Sequence, residues 1–376
     1  MRILHLIHSE GIYGAERILL YLAREQQQRG HEPVIGSIRD PGTAETPFEA
    51  HLRLYGLPVV PIRIAPRPTP GVVLSLLHTV RSLAPDVLHS HGYKANILLG
   101  PLPRRLRGAM LSTLHGWTAA PGLSALWLYE QLDRMALRRL DAVVVVTRRM
   151  LELPILGTIA PTRRLVIENG IPPLAQRLAD MASAGAAPVP HELVEFVARR
   201  PTLVAIGRLS PEKGFQVLLE AFARASSANG GRIQLLIIGE GAERERLAHL
   251  IADLHLSESA RLAGYVEGAD RLLVHAAGFV MSSITEGMPL VLLEAMQWRV
   301  PILATAVGAV PDILEQGRRG VLVPPGDVGT LAEGLVRIVK VGRSSACEQV
   351  VAEHYSSARM AEQYLCAYDV MREQHS

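Results

Sequence analysis

The sequence predicts an α/β protein built from two doubly wound, parallel-sheet domains. Short apolar runs alternate with helical patterns along almost the whole chain, joined by the short connections typical of strand–helix units. One run, Asp141–Val146 (DAVVVV), is nearly continuous β-branched sequence, as expected of a strand covered on both faces. At 376 residues the chain also suits two domains of ordinary size, each burying its own core.

Taken in order, Ile3–Ile7 is the opening strand. Gly11-Ile12-Tyr13-Gly14-Ala15-Glu16 follows, leading into a helix that stops at Gly30. A glycine-bearing turn from strand to helix lets backbone N–H groups approach an anion, although Gly14 taken alone is more often a packing or turn glycine than a ligand contact. Pro33–Ile38 and Val59-Val60 are strands, with a helix around Phe48–Tyr55 between them. A Pro-rich loop, Pro61–Pro70, precedes a helix from Gly71 to Leu83. Asp86–His91 and Ala109–His115 are further strands, and each ends in a histidine. Ligands of α/β sheets bind beyond the carboxyl ends of strands, so His91 and His115 are candidate contacts; a single loop histidine is more often a satisfied polar side chain. Arg163–Glu168 closes the first domain before Asn169-Gly170. The Ala- and Pro-rich stretch from Pro172 to Arg200 reads as the interdomain connection, with some irregular helix on each side. This places a first domain at 1–185 and a second at 186–356, with strands at Leu203–Gly207, Leu235–Gly239, Ala260–Ala263, Gly278–Met281, Pro301–Ala304 and Val321–Val323.

Two stretches of the second domain carry the chemistry. After the strand Gly278–Met281, the segment Ser283–Trp298 (SITEGMPLVLLEAMQW) turns through Gly287 and enters a helix at Pro289, a residue suited to the first helical position. The free N–H groups and the positive dipole end of that helix suit an anion. Glu286 precedes the helix and Glu294 lies about one and a half turns inside it, placed to bind hydroxyl groups on either side. The spacing alone is weak, because a capping glutamate and a solvated helix glutamate would look the same. Upstream, Ala205–Gly214 (AIGRLSPEKG) ends a strand at Gly207 and carries Arg208 and Lys213, a planar fork and a compact point charge for phosphate. Gly239-Glu240-Gly241 lacks the third glycine of a dinucleotide fingerprint and gives little support to NAD.

Composition narrows the partners. The net charge of +3 divides into +7 over residues 1–186 and −4 over the rest. Arg104, Arg105 and Arg107, with Arg134, Arg138 and Arg139, form a candidate patch for anionic lipid or a lipid-phosphate acceptor, against ordinary variation between domains. No aromatic residues interleave with these arginines, so nucleic acid is not expected. No apolar run approaches the ~20 residues that cross a bilayer, and MRILHLIHSE reads as a strand, too short for a signal peptide. Cys347 and Cys366 have no metal-ligand spacing and read as free thiols. The expected location is the cytoplasm, extending to the inner face of the cell membrane. Only three lysines occur, Lys94, Lys213 and Lys340, and one sits in the proposed phosphate loop.

GRLSPEKG followed by ITEGMPLVLLEAM resembles the donor half of family 4 retaining glycosyltransferases of the GT-B fold. GEG at Gly239–Gly241, RLAGYV at Arg261–Val266 and PILATAVGAVPDIL at Pro301–Leu314 follow in the family's order. The resemblance runs from Met1 to about Asp327. It implies two Rossmann-like domains facing across a cleft, with a final helix, about 357–374, returning to the first. It also implies a donor site of Gly14, Arg208, Lys213, Gly239, Tyr265, Val266, Glu286, Gly287, Met288, Pro289, Leu290, Val291 and Glu294. His115 would hydrogen-bond the donor sugar, and Tyr13, where the family usually has glycine, would with His91 lie on the acceptor side. The family usually has an aspartate after the Asn-Gly-aliphatic triplet, where this chain has Pro172-Pro173.

The expected reaction moves a sugar from a nucleoside-diphosphate sugar, a UDP-sugar first among candidates, to a hydroxyl of a lipid-linked or other saccharide. The resemblance implies retention of anomeric configuration. No cofactor is expected. No Asp-x-Asp occurs in the chain, so no metal is expected either. A nucleotide-sugar epimerase and a non-catalytic nucleotide-sugar-binding partner of a transferase are the alternatives.

Overall fold

The computed structural model describes residues 1–9, 11–65, 69–116 and 125–373; residues 66–68 of the Pro-rich loop lie outside that set. The chain divides into two compact units, Met1–Pro172 with Tyr355–Ser376, and Pro173–His354.

The first unit holds seven parallel strands: β1 (Arg2–His8), β2 (Glu32–Arg39), β3 (Val59–Arg63), β4 (Val87–Ser90), β5 (Ala109–Leu114), β6 (Ala142–Val145) and β7 (Arg164–Val166). Their order is β3-β2-β1-β4-β5-β6-β7. The order reverses between β1 and β4, the point at which a doubly wound sheet leaves a crevice at its carboxyl edge. All four residues of β6 are buried, as its β-branched run requires.

Strand register explains what lies beneath that crevice. His5 of β1 pairs in register with His89 of β4, and β4 pairs with β5 so that Ser90 faces Ser112. Side chains two apart along a strand share a face. His89 and His91 therefore share a face with His5, and Thr113 and His115 continue it on the next strand. The helices Gly14–Gln28 and Ser357–Glu373 cover this face with Gln26, Tyr364 and Tyr368, all buried.

The second unit holds six parallel strands: β8 (Thr202–Ile206), β9 (Gln234–Ile238), β10 (Ala260–Leu262), β11 (Gly278–Met281), β12 (Ile302–Thr305) and β13 (Val321–Val323). Their order, β10-β9-β8-β11-β12-β13, reverses between β8 and β11. The two chemistry-bearing stretches leave those two strands. A core of fully buried residues, including Leu218, Phe222, Leu235 and Leu335, joins the sheet to the helices Phe215–Ala228 and Val328–Ile338. Each such side chain contributes about 1.5–3 kcal/mol by leaving water.

The boundary differs from the expected one. It falls after Pro172 rather than at residue 185, because the helix Leu174–Ser183 belongs to the second unit. Its Arg177 is buried there, donating to Asp270 at 2.9 Å and to Gln297 at 3.0 Å. The supposed connection thus contains two ordinary helices, Leu174–Ser183 and His191–Arg199. The chain returns to the first unit at Tyr355, ahead of the helix Ser357–Glu373. There Ile171 N–H donates to Tyr355 at 2.9 Å and Ser357 N–H donates to Ile171 at 3.0 Å. The approach is close enough that a Cβ on Gly170 would lie 2.2 Å from the Ser356 carbonyl oxygen, so only glycine fits. Among the described residues, no helix is long and apolar enough to cross a membrane.

Candidate functional site

In the second unit the two loops at the reversal point are stitched together by backbone. Ile284 N–H donates to Glu212 at 2.8 Å, and the Ser282 hydroxyl donates to the Lys213 carbonyl at 2.9 Å. Gly214, in the left-handed region at φ 63°, sits so close to Ser282 that a Cβ would lie 2.3 Å from its carbonyl oxygen. The result brings Lys213 Nζ to 2.6 Å from Glu286 Oε1, which also accepts from the Ser283 hydroxyl at 2.6 Å. Lys213 and Glu286, 73 residues apart, are therefore one ion pair. Arg208 stays outside it: its side chain is 54% exposed and donates to Glu212 at 2.6 Å. Burial tends to raise the Glu212 pKa, but hydrogen bonds from Ser210 and Arg208 outweigh it and hold the carboxylate below its usual range.

The helix after Gly287 runs Leu290–Gln297, and Pro289 is its N-cap in extended conformation rather than its first helical residue. Because proline has no N–H, the first donors in the helix are those of Leu290 and Val291. Met288, just before the helix, is buried. The Gly287 carbonyl accepts from Ala309 N–H at 2.9 Å. Gly308, at φ 53°, lies against the carbonyls of Glu286 and Gly287, where a Cβ would come within 2.4 Å of both. Gly308 was not expected to matter, and its signal was the glycine inside PILATAVGAVPDIL.

Glu294 is 2% exposed, so the alternative of a merely solvated helix glutamate does not hold. Its Oε1 lies 3.5 Å from Arg177 Nη1, the nitrogen that donates to Asp270. Trp298 Nε1 also donates to Asp270, at 2.9 Å. One buried guanidinium is thus shared by two carboxylates, an arrangement in which removing the cation would leave two buried charges unpaired. Nothing in the local sequence around Arg177 marked it.

The remaining donor-side residues separate into two kinds. Gly239 and Gly241 serve close packing, since a Cβ on either would strike the carbonyl of Gly207 or Leu209 at 1.9 or 2.3 Å. Tyr265 is 63% exposed and Val266 is half-buried.

The first unit gathers different chemistry. Gln26 Oε1 lies 2.8 Å from His5 Nε2, His5 Nδ1 lies 3.0 Å from His91 Nε2, and His91 Nδ1 lies 3.2 Å from His115 Nε2. A branch joins His89 Nδ1 to the Tyr368 hydroxyl at 2.6 Å and His89 Nε2 to Thr113 at 2.8 Å. Burial lowers all four histidine pKa values, to about 4 for His5 and His115 and well below 6.5 for His89 and His91, so the rings are neutral near pH 7. His5, His89 and His91 hold ring nitrogens within 4.8 Å of one another, as a metal site would. Both nitrogens of His5 and of His89 already have protein partners, however, so the set suits a hydrogen-bond chain better. His91 and His115 were expected at strand ends; His5, His89, Gln26, Tyr364 and Tyr368 were missed. Tyr13 is exposed at the N-cap of the helix Gly14–Gln28, its N–H donating to Glu16 at 3.0 Å, and the position of a Cβ on Gly14 is open.

The expected arginine patch is mostly structural. Arg104 and Arg107 both bind Asp141, and Arg107 also donates to the carbonyls of Gly108 and Arg139. Burial would raise the Asp141 pKa, but the bonds from Arg107 and Met110 N–H win and lower it. Arg138 and Arg139 are tied to Thr158 and Pro101. Arg105 remains exposed.

Comparison with known proteins follows this division. The family described as Glycosyltransferase Family 4 matches residues 12–173, and the one described as Glycosyl transferases group 1 matches residues 200–340. The chain is 33% identical over 165 residues to the lipopolysaccharide core biosynthesis glycosyltransferase LpsE of Rhizobium meliloti (strain 1021), covering 44% of each protein. It is 33% identical over 144 residues to the amylovoran biosynthesis glycosyltransferase AmsK of Erwinia amylovora, covering 36% of this chain and 35% of that one. These matches span less than half the length of either relative. The crystal structure of Anabaena HepE in complex with UDP and glucose is similar with a TM-score of 0.79, at 18% identity, over 98% of this chain and 100% of that one. That likeness, with the two strand orders, makes the fold GT-B. With one family match on each unit, in chain order, the chain belongs to the group 1, family 4 glycosyltransferases.

Proposed function

We propose that this protein transfers a sugar from a nucleoside-diphosphate sugar, a UDP-sugar first among candidates, to a hydroxyl of a lipid-linked or other saccharide in cell-surface polysaccharide or glycolipid synthesis. The observation that carries this reading is the Lys213–Glu286 pair beside the first N–H groups of the helix Leu290–Gln297. The description of HepE with UDP and glucose supports the choice of base, and the names of LpsE and AmsK support the product class.

Negative charge grows on the leaving diphosphate as the bond from the anomeric carbon to its oxygen breaks, so donors aimed there lower the barrier most. Lys213 has three N–H donors and spends one on Glu286, leaving others for phosphate. Arg208 and the N–H groups of Leu290 and Val291 supply the rest. Glu286 accepts from hydroxyls of the donor sugar, Glu294 from the ribose, and His115 hydrogen-bonds the sugar. The acceptor oxygen forms the new bond on the face the diphosphate leaves, its proton passing to the departing phosphate oxygen. No step asks for a metal, the cations being side chains. Work on a lipid-linked acceptor would bring the protein to the inner face of the cell membrane through some surface other than the Asp141-bound arginines.

The test is a screen of UDP-, GDP- and ADP-sugars by thermal shift and slow nucleotide release, with and without EDTA. One donor should raise the Tm and release its diphosphate at an EDTA-insensitive rate. Binding without release, even with lipid extract, would instead indicate a non-catalytic partner.

A further inference from the structure

The histidine chain of the first unit has a direction, and the direction decides what His115 offers. A neutral imidazole has one N–H donor and one lone-pair acceptor, so each ring passes its polarity to the next. The three rings in line, His5, His91 and His115, are self-consistent in only two arrangements, all protonated on Nε2 or all on Nδ1, and His89 stands on a side branch through Tyr368. The branch at Tyr368 chooses between them. Its hydroxyl lies 2.6 Å from His89 Nδ1 and 3.4 Å from Gln26 Nε2. A phenol is the better donor and an imidazole nitrogen the better acceptor, so the short contact is Tyr368 O–H donating to His89 Nδ1. The phenol oxygen is then the acceptor for Gln26 Nε2–H, which turns Gln26 Oε1 toward His5. His5 must donate from Nε2 and accept at Nδ1; His91 then does the same, and so does His115.

We infer that Tyr368 and Gln26, acting through His5 and His91, are positioning residues that hold His115 as the Nε2–H tautomer, leaving Nδ1 as a lone-pair acceptor for a sugar hydroxyl. The last clause rests on the proposed sugar contact of His115; the tautomer itself does not. Among the described residues, Nδ1 of His115 has no hydrogen-bond partner. Gln26, His5, His89 and Tyr368 are wholly buried, so water does not compete for the protons that set the direction. The arrangement also gives the C-terminal helix, which brings Tyr368, a task beyond closing the unit.

The experiment is long-range 1H–15N correlation NMR on the full chain with 15N-labelled histidine at pH 7.5. Wild type should show His5, His89, His91 and His115 each protonated on Nε2. Tyr368→Phe removes the donor to His89 and the acceptor for Gln26 while keeping the ring. Gln26→Met keeps the volume and removes both hydrogen bonds to the chain. Each variant should turn the His115 signals from one tautomer to a mixture, and slow donor release should fall about tenfold, mostly through KM. Nδ1–H tautomers in wild type would overturn the inference. So would a single unchanged His115 tautomer in Tyr368→Phe, read alongside Gln26→Met as a check that either variant folds. His115→Ala separates the two ideas: unchanged donor KM in that variant, with wild-type tautomers as stated, refutes the sugar contact and leaves the relay standing.

Discussion

The two units share a topology and differ in their electrostatics. Each sheet reverses its order beside its first strand, β1 against β4 and β8 against β11, and each gathers polar side chains at that point. The second unit fills it with full charges, Lys213 on Glu286 and Arg177 between Asp270 and Glu294. The first fills it with neutral rings, four histidines whose protonation burial opposes. A diphosphate calls for fixed cations and oriented N–H groups, while a hydroxyl calls for neutral donors and acceptors in a set direction. Each unit thus offers a different chemistry at the reversal point of its own sheet.

The largest effect that would sharpen this contrast is on stability. Arg177→Met leaves Asp270 and Glu294 as buried carboxylates without their guanidinium, and should cost about 3–5 kcal/mol by urea denaturation. A loss below about 1 kcal/mol would mean the two carboxylates are protonated or reach water. Next, Lys213→Ala should lower slow donor release by about 10²–10³-fold, the scale for removing one group that stabilises a developing oxyanion, with little change in Tm.

The first unit should respond to acid instead. A histidine whose folded pKa is lowered refuses a proton that the unfolded chain takes up between pH 6.5 and about 4. The stability that His5 confers is therefore complete above pH 6.5 and lost as pH falls to about 4, at about 1.36 kcal/mol per pH unit for one such group. The urea midpoint should drop through that window, less steeply in His5→Gln. An unaltered slope in that variant would break the claim that the neutral core sets the acid limit. The smallest effect concerns the arginines: Arg105→Ala should change stability by less than about 0.5 kcal/mol, whereas Arg107→Ala strips the Asp141 network and should cost several times that.

Sequence reading reached the strands and the two loops of the second unit because those signals are local. GRLSPEKG and SITEGMP carry their glycines, prolines and charges within a few residues of a strand end, and the structure joins them through Lys213 and Glu286. Pro289 was misplaced by one position, since proline suits both the N-cap and the residue after it. What escaped depends on contacts far apart in the chain. Arg177 sits in an Ala- and Leu-rich helix, and its partner Asp270 lies 93 residues away. His5 and His89 resemble ordinary strand residues until the register of β1 and β4 sets them side by side. The arginine cluster looked like a surface patch because Asp141, which binds two of its members, lies more than 30 residues downstream.

The most direct test of the division is a calorimetric titration of the donor sugar nucleotide found by screening, and of its bare diphosphate, into wild type, Lys213→Ala and His115→Ala. Lys213→Ala should weaken both ligands tenfold or more, and His115→Ala should weaken only the sugar-bearing one. Equal weakening of both ligands by His115→Ala, or none by Lys213→Ala, would contradict the assignment of charge to the diphosphate and neutral histidine to the sugar.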